Sequence, residues 1–168
     1  MSRAECLKLY AVFLLLILTT TFGYFNIGVG YNYGTLNNWA LRIGYEDTGV
    51  SINADYTIEK VWNIIGGLYF STEVGFEIGP MIYATYDFSQ FTLMYGPALG
   101  IQNKQMLVQI GYLSDFTTFS NITDSIFINL RFYVPDPPGM RMTDKLYIEG
   151  QYHKGNFKVI IGLLEPYF

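Results

Sequence analysis

Apolar side chains alternate with small or polar side chains along most of the chain beyond residue 24. At the start of this region, Phe25, Ile27 and Val29 are separated by Asn26 and Gly28. A period of two places alternate side chains on opposite faces of a β-strand. The same pattern recurs in further segments, at residues 39–46, 50–58, 74–86, 91–100, 108–112, 126–134, 145–153 and 157–165. The sequence therefore predicts an all-β chain.

One region leaves the number of strands open. In residues 61–70, Trp62, Ile64 and Leu68 leave room for a strand with a kink at Gly66 and Gly67. Counting this region as a strand gives ten strands, whereas merging or losing it gives eight. Closed bacterial membrane barrels have even strand numbers, so ten is favoured and eight is the alternative.

The amino-terminal residues have the pattern of a signal peptide. Arg3 and Lys8 precede an apolar run at residues 9–18, and Thr21 and Gly23 supply small residues before a cleavage site at Tyr24. We expect residues 1–23 to be removed, leaving one β-barrel domain at residues 24–168. The alternative is an uncleaved anchor helix over residues 7–22, which is shorter than the roughly 20 residues that span a bilayer. Cys6 precedes the apolar run, a position that does not fit a lipoprotein anchor.

The two predicted faces of the strands differ in a way that suggests an apolar exterior. One face is rich in Ile, Leu, Val, Phe and Tyr, and the other consists mainly of Gly, Asn, Ser, Ala and Thr. Small residues suit a narrow barrel interior but make a poor water-soluble coat. The whole chain is 51% hydrophobic and 14% charged, with a mean hydropathy of +0.22. Its net charge of −4 makes nucleic acid a poor partner.

With its signal peptide, its alternating segments and its terminal Phe168, the chain resembles the small outer-membrane β-barrel proteins of bacteria. The resemblance implies a closed, antiparallel, up-and-down transmembrane β-barrel in the bacterial outer membrane, surrounded by membrane lipid. In that family a terminal aromatic residue is read by the barrel-assembly machinery, and Phe168 is the candidate here. In the usual pattern of that family, the apolar positions of the last strand alternate in step with the terminal aromatic residue. Here the more apolar positions, Phe157, Val159, Ile161 and Leu163, alternate out of step with Phe168.

Aromatic residues occur near both ends of the first two predicted strands. Tyr31, Tyr33 and Trp39 cluster where these strands meet, and Tyr45 lies towards their other ends. Aromatic girdles at the two membrane interfaces are typical of transmembrane barrels. We therefore predict girdle positions for these four residues.

Five charged residues fall on the less apolar face by their parity. They are Arg42, Asp55, Glu77, Arg131 and Glu149. Isolated charges inside a barrel would be very costly, so we expect them to form a polar network. Such a network is either a structural plug, which we favour, or a gate in a narrow, selective constriction.

Catalytic chemistry has one candidate centre. His153 is the only histidine, and a nucleophilic serine would have to come from another strand, at Ser114, Ser120 or Ser125. An outer-membrane lipid-modifying enzyme centred on His153 is therefore a minor alternative. We assign no catalytic residue, and we expect no cofactor and no metal site, since the chain has one histidine and one cysteine.

The favoured function is that of a small, non-enzymatic outer-membrane barrel that serves envelope integrity or the narrow passage of an unidentified small solute. A soluble periplasmic or secreted lipocalin-like barrel, binding a hydrophobic ligand, is the main alternative. It predicts that Tyr31, Ile43 and Tyr56 point into a cavity and that Arg42, Asp55 and Glu77 lie outside.

Overall fold

The computed structural model describes residues 23–34, 37–47, 49–115, 122–135 and 145–166. The side chains of residues 122, 123, 165 and 166 are not described. The predicted signal peptide, apart from Gly23, and the predicted assembly signal at Phe168 therefore lie outside the described residues.

The described residues form strands joined mostly by short turns. One short helical turn, α1 (Ile122–Ser125), precedes the ninth strand. The strands are β1 (Tyr24–Tyr33), β2 (Asn38–Asp47), β3 (Val50–Thr57), β4 (Trp62–Leu68), β5 (Phe70–Ser71), β6 (Phe76–Tyr86), β7 (Phe91–Gln102), β8 (Met106–Tyr112), β9 (Ile126–Tyr133), β10 (Lys145–His153) and β11 (Asn156–Pro166). No helix in the described part of the chain is long and apolar enough to cross a membrane.

The strands close into an antiparallel barrel of ten strands with one short extra strand, β5. Each long strand pairs with its neighbours in sequence, and closure comes from the pairing of β1 with β11. On the other side of the sheet β4 pairs with β6. Strand β5 continues along β6 in the register that β4 sets, as Gly67 opposite Met81 is followed by Phe70 opposite Ile78. The prediction of an all-β closed barrel with ten strands is confirmed.

The uncertain region of the sequence is a strand, but its interruption lies at Tyr69 and not at the two glycines. The Tyr69 ring turns into the barrel and occupies the space that a side chain on Gly67 would need.

The start of the next strand also differs from the prediction, because residues 73–75 form a turn and β6 begins at Phe76. Val74, which the alternation placed in that strand, is therefore an exposed turn residue.

The strands are strongly tilted. Following the paired residues once around the sheet returns to β1 about 12 residues from the starting point. In a barrel of this size, that stagger corresponds to a strand tilt of roughly 40°. Because of the tilt, inward-facing side chains on different strands are staggered along the barrel axis, and residues distant in sequence come into contact inside.

The turn between β10 and β11 shows how local sequence sets the connections. Lys154 and Gly155 both have positive φ, at 49° and 72°, which is the backbone that a two-residue type I′ turn requires. This turn defines one end of the barrel, called here the hairpin end. The opposite end, where β1 begins and β11 ends, is called the terminal end.

The barrel interior is a packed core, with more apolar bulk than the alternation alone indicates. One buried apolar cluster contains Ile65, Tyr69, Met81, Met94, Ala98, Leu113 and Phe127. A second contains Tyr147, Ile160 and Leu164. The expectation that small and polar residues dominate the interior is thus correct for only part of it. Methionine and aromatic side chains fill the remainder of the interior.

Candidate functional site

A chain of six ionised side chains crosses the barrel interior with alternating charge. In order, its members are Lys158, Asp55, Arg42, Glu149, Arg131 and Glu46. At one end, Lys158 Nζ lies 2.6 Å from Asp55 Oδ2. Three cationic and three anionic groups make the chain neutral as a whole. We call it the ion chain.

Two cross-strand pairs provide the framework of the ion chain. Arg42 on β2 lies directly opposite Asp55 on β3, and Arg131 on β9 lies directly opposite Glu149 on β10. The Arg42 guanidinium binds Asp55 through two hydrogen bonds, with Nε donating to Oδ1 at 2.6 Å and Nη2 to Oδ2 at 2.8 Å. Two parallel bonds of this kind fix the geometry of both groups as well as adding energy.

Glu149 joins the two pairs into one network. Its carboxylate accepts hydrogen bonds from both Arg42 and Arg131, and from Gln151 Nε2 at 2.7 Å. The Arg131 guanidinium also donates to both oxygens of Glu46, at 2.6 and 2.7 Å. Glu149 is 0% exposed and both arginines are 1% exposed. Buried charges are tolerated only when they are paired and hydrogen-bonded, and these contacts meet both conditions.

Aromatic and amide groups hold the ion chain from one side. The Arg131 guanidinium carbon lies 4.5 Å from the centre of the Tyr147 ring, a cation–π contact. The Tyr147 hydroxyl donates to the Asn26 side-chain oxygen, and Asn26 Nδ2 donates to Glu46 Oε1 at 3.1 Å. These contacts restrict the arginine to one position, which favours a rigid structural role.

The structure brings together four of the five charged residues singled out from the sequence: Arg42, Asp55, Arg131 and Glu149. Glu77 is also buried, but it lies outside the ion chain and accepts a long hydrogen bond from Ser71 at 3.4 Å. Sequence reasoning missed Glu46 and Lys158. Both have the inward parity of their strands, and that signal would have found them.

Two cavities enter the barrel from its opposite ends. The hairpin-end cavity has a volume of about 280 Å³, and Lys158 and His153 are part of its lining. The terminal-end cavity has a volume of about 470 Å³, and Glu46 and Arg131 are part of its lining. Gln151 lines both. The ion chain therefore runs between the two cavities and fills the interior there.

The four aromatic residues predicted as girdle positions lie on the outward parity of β1 and β2. Tyr33 and Trp39 are exposed, and Tyr31 and Tyr45 are partly buried. The rings of Tyr31 and Tyr33 are 4.7 Å apart between centres, and those of Tyr31 and Trp39 are 5.2 Å apart. These three residues cluster at the hairpin end, and Tyr45 lies towards the terminal end.

His153 is buried beside two aromatic rings at the hairpin end. Its Nδ1 lies 3.3 Å from the Ile126 carbonyl oxygen, and its ring centre is 4.4 Å from that of Tyr83. Within the described residues, His153 makes no hydrogen bond to a serine, and Ser120 is not described. In the same part of the chain, no group of three or more His, Cys, Asp or Glu side chains could hold a metal ion.

Comparison of the chain with protein-family models, with curated proteins and with solved structures finds no match.

Proposed function

We propose that this protein is a small, non-enzymatic β-barrel of the bacterial outer membrane, with a structural role in the envelope. One observation carries the proposal. Among the outward-facing strand positions whose side chains the structure describes, Asp47, at the end of β2, is the only charged or polar one. A soluble protein rarely leaves so continuous an apolar surface in contact with water. A surface of this kind is what a transmembrane barrel presents to lipid.

The distribution of charge supports the same orientation. The ion chain is buried inside the barrel, while Leu41, Ile43 and Ile161 on the outer surface are each about half exposed or more. The soluble lipocalin-like alternative requires Tyr31, Ile43 and Tyr56 to face a ligand cavity. None of these three lines either of the two cavities described above.

The packed interior supports a structural role over a wide pore. The ion chain and the apolar cluster around Met81, Met94 and Phe127 occupy the barrel between the two cavities. An interior filled by side chains is typical of barrels with eight to ten strands. Membrane lipid is then the main partner, and the barrel-assembly machinery is the partner expected during biogenesis.

The first experiment tests whether the barrel is folded in the outer membrane. Isolated outer membranes are run on a gel, unheated and boiled, because closed membrane barrels commonly resist detergent until heated. The proposal predicts a heat-dependent change in mobility. Release of the protein by osmotic shock, with no mobility change, would contradict it.

A matched pair of variants tests which solvent the outer surface meets. Leu41 is 60% exposed near the middle of β2, and Ile58 is 71% exposed in the turn after β3. In a bilayer, Leu41→Arg should reduce the free energy of unfolding by about 2–4 kcal/mol, and Ile58→Arg by about 0–1 kcal/mol. Equal, small effects of both variants would indicate that the surface lies in water.

A second candidate function, narrow solute passage, is favoured by one observation: the two cavities approach each other at Gln151. If the ion chain is a gate, purified protein should show discrete conductance steps in planar bilayers, and Glu149→Gln should change their size. If the ion chain is a plug, neither the parent protein nor Glu149→Gln should give steps.

A further inference from the structure

The hairpin-end cavity has a positively charged lining, although the chain as a whole has a net charge of −4. Its charged lining residues are Lys154 and Lys158, and no Asp or Glu belongs to the described lining. The terminal-end cavity differs, because Glu46, Asp47 and Glu77 line it together with its basic residues. The hairpin-end cavity is therefore suited to an anion.

Both lysines have hydrogen-bond donors left for a ligand. Lys158 is buried and uses one donor on Asp55, so two N–H groups of its ammonium remain. Lys154 lies at the rim, and its ammonium group has no ion pair or hydrogen bond within the described residues. The ion chain is neutral without Lys154, so none of its carboxylates is left over to balance the positive charge of this lysine.

Asn63 supplies a third donor from β4, which lies four strands away from β11 in the barrel. Its side-chain oxygen accepts hydrogen bonds from the Tyr83 hydroxyl at 3.1 Å and from Thr85 Oγ1 at 3.2 Å. These two bonds fix the orientation of the amide. Its NH₂ group then has no hydrogen-bond partner within the described part of the chain, and Asn63 is one of the residues that line the cavity. Two ammonium groups and one amide form a donor set that suits an oxyanion.

We propose that the hairpin-end cavity binds the phosphate group of a small soluble solute, with Lys154, Lys158 and Asn63 as donors. Lysine binds phosphate as a point charge, and a phosphate oxyanion can accept bonds from all three groups. A volume of about 280 Å³ lies just below the range of drug-sized sites, which limits the ligand to a small molecule. This inference goes beyond the structural role, and it holds whether lipid or water surrounds the barrel.

His153 provides the readout, because it is the only histidine and lines this cavity. Folded protein in detergent is titrated with inorganic phosphate, glycerol 3-phosphate or glycerol at constant ionic strength, and the imidazole resonances are followed by NMR. Saturable shifts with both phosphates, and none with glycerol, are expected. Equal shifts with glycerol, or no shift with either phosphate, would overturn the proposal. A response to a short-chain phosphatidic acid alone would also overturn it, since the phosphate would then come from a lipid.

Matched variants distinguish this site from general attraction of anions. Lys154→Gln should weaken phosphate binding about fivefold, the upper range for a partly screened charge pair. Lys104→Gln makes the same charge change at the terminal end and should leave the affinity unchanged. Asn63→Asp keeps the side-chain shape, adds a negative charge to the cavity and should abolish the shifts. Equal weakening by Lys154→Gln and Lys104→Gln would overturn the proposal.

Discussion

Replacing Glu149 by glutamine should strongly destabilise the barrel, because this carboxylate holds two arginines inside it. The substitution keeps the size of the side chain but removes its charge. Arg42 would then depend on Asp55, which Lys158 also binds, and Arg131 would depend on Glu46 alone. The ion chain would then hold three cationic groups and two anionic ones.

The size of the effect follows from the burial and from the number of bonds. Glu149 is 0% exposed and accepts hydrogen bonds from two guanidiniums and from Gln151. Hydrogen bonds to charged groups contribute roughly 1.5–3 kcal/mol each, and an amide oxygen retains part of this. Breaking a buried ion pair by removing one partner costs about 3–5 kcal/mol. We therefore expect Glu149→Gln to lower the free energy of unfolding by about 3–5 kcal/mol.

The measurement is reversible urea unfolding in lipid vesicles, followed by the fluorescence of Trp39 and Trp62. Glu59→Gln, at an exposed turn, removes the same charge and should cost less than about 0.5 kcal/mol. Arg131→Gln combined with Glu149→Gln restores equal numbers of charges, so it should recover part of the loss. A cost for Glu149→Gln no larger than that of Glu59→Gln would refute the reasoning, because the ion chain would then be well hydrated.

Three further predictions concern packing and a turn. Gly162→Val should prevent refolding, measured as the heat-resistant fraction on a gel, because the Tyr147 ring occupies the space that the new side chain needs. Tyr147→Phe should cost about 1–2 kcal/mol in urea unfolding, since the buried side-chain oxygen of Asn26 loses its donor. Hydrogen bonds from the backbone N–H of Gln90 and from its neighbours lower the pKa of Asp87. The stabilisation of that turn by the Asp87 carboxylate should therefore be complete above the unfolded pKa of about 4. It should be lost as the pH falls through the lower pKa of the folded protein. NMR of the turn amides over this pH range would detect the loss.

The fold could be predicted from the sequence because the strand period repeats so regularly. Alternation alone assigns Arg42 and Asp55 to the interior, and it places Leu41 and Ile43 outside. Turn residues such as Gly155 mark where a strand must end. Parity therefore determined both the all-β class and the interior position of the charged residues.

The partners within the ion chain could not be read from parity, because they depend on register and tilt. Arg131 and Glu46 are 85 positions apart in sequence and meet only across the closed barrel. Glu77 has the same inward parity as Arg42, yet it lies opposite Gly100 on β7 and forms none of the ion pairs of the ion chain. The interior bulk of Met81 and Phe127 was also underestimated, since the alternating pattern gives orientation and not packing.

The pairing of β1 with β11 has a consequence for the order of assembly. Ten residue pairs join Tyr24–Tyr33 to β11. One edge of β1 therefore stays without a hydrogen-bonded neighbour until β11, the last strand, has been synthesised. Contacts between such distant segments are slow to form, since the loop-closure entropy must be lost first. Until then both strands have an open edge, which other chains can join by hydrogen bonding. A chain shortened before β11 should therefore aggregate through β1, which would make the carboxyl-terminal strand the checkpoint for a monomeric barrel.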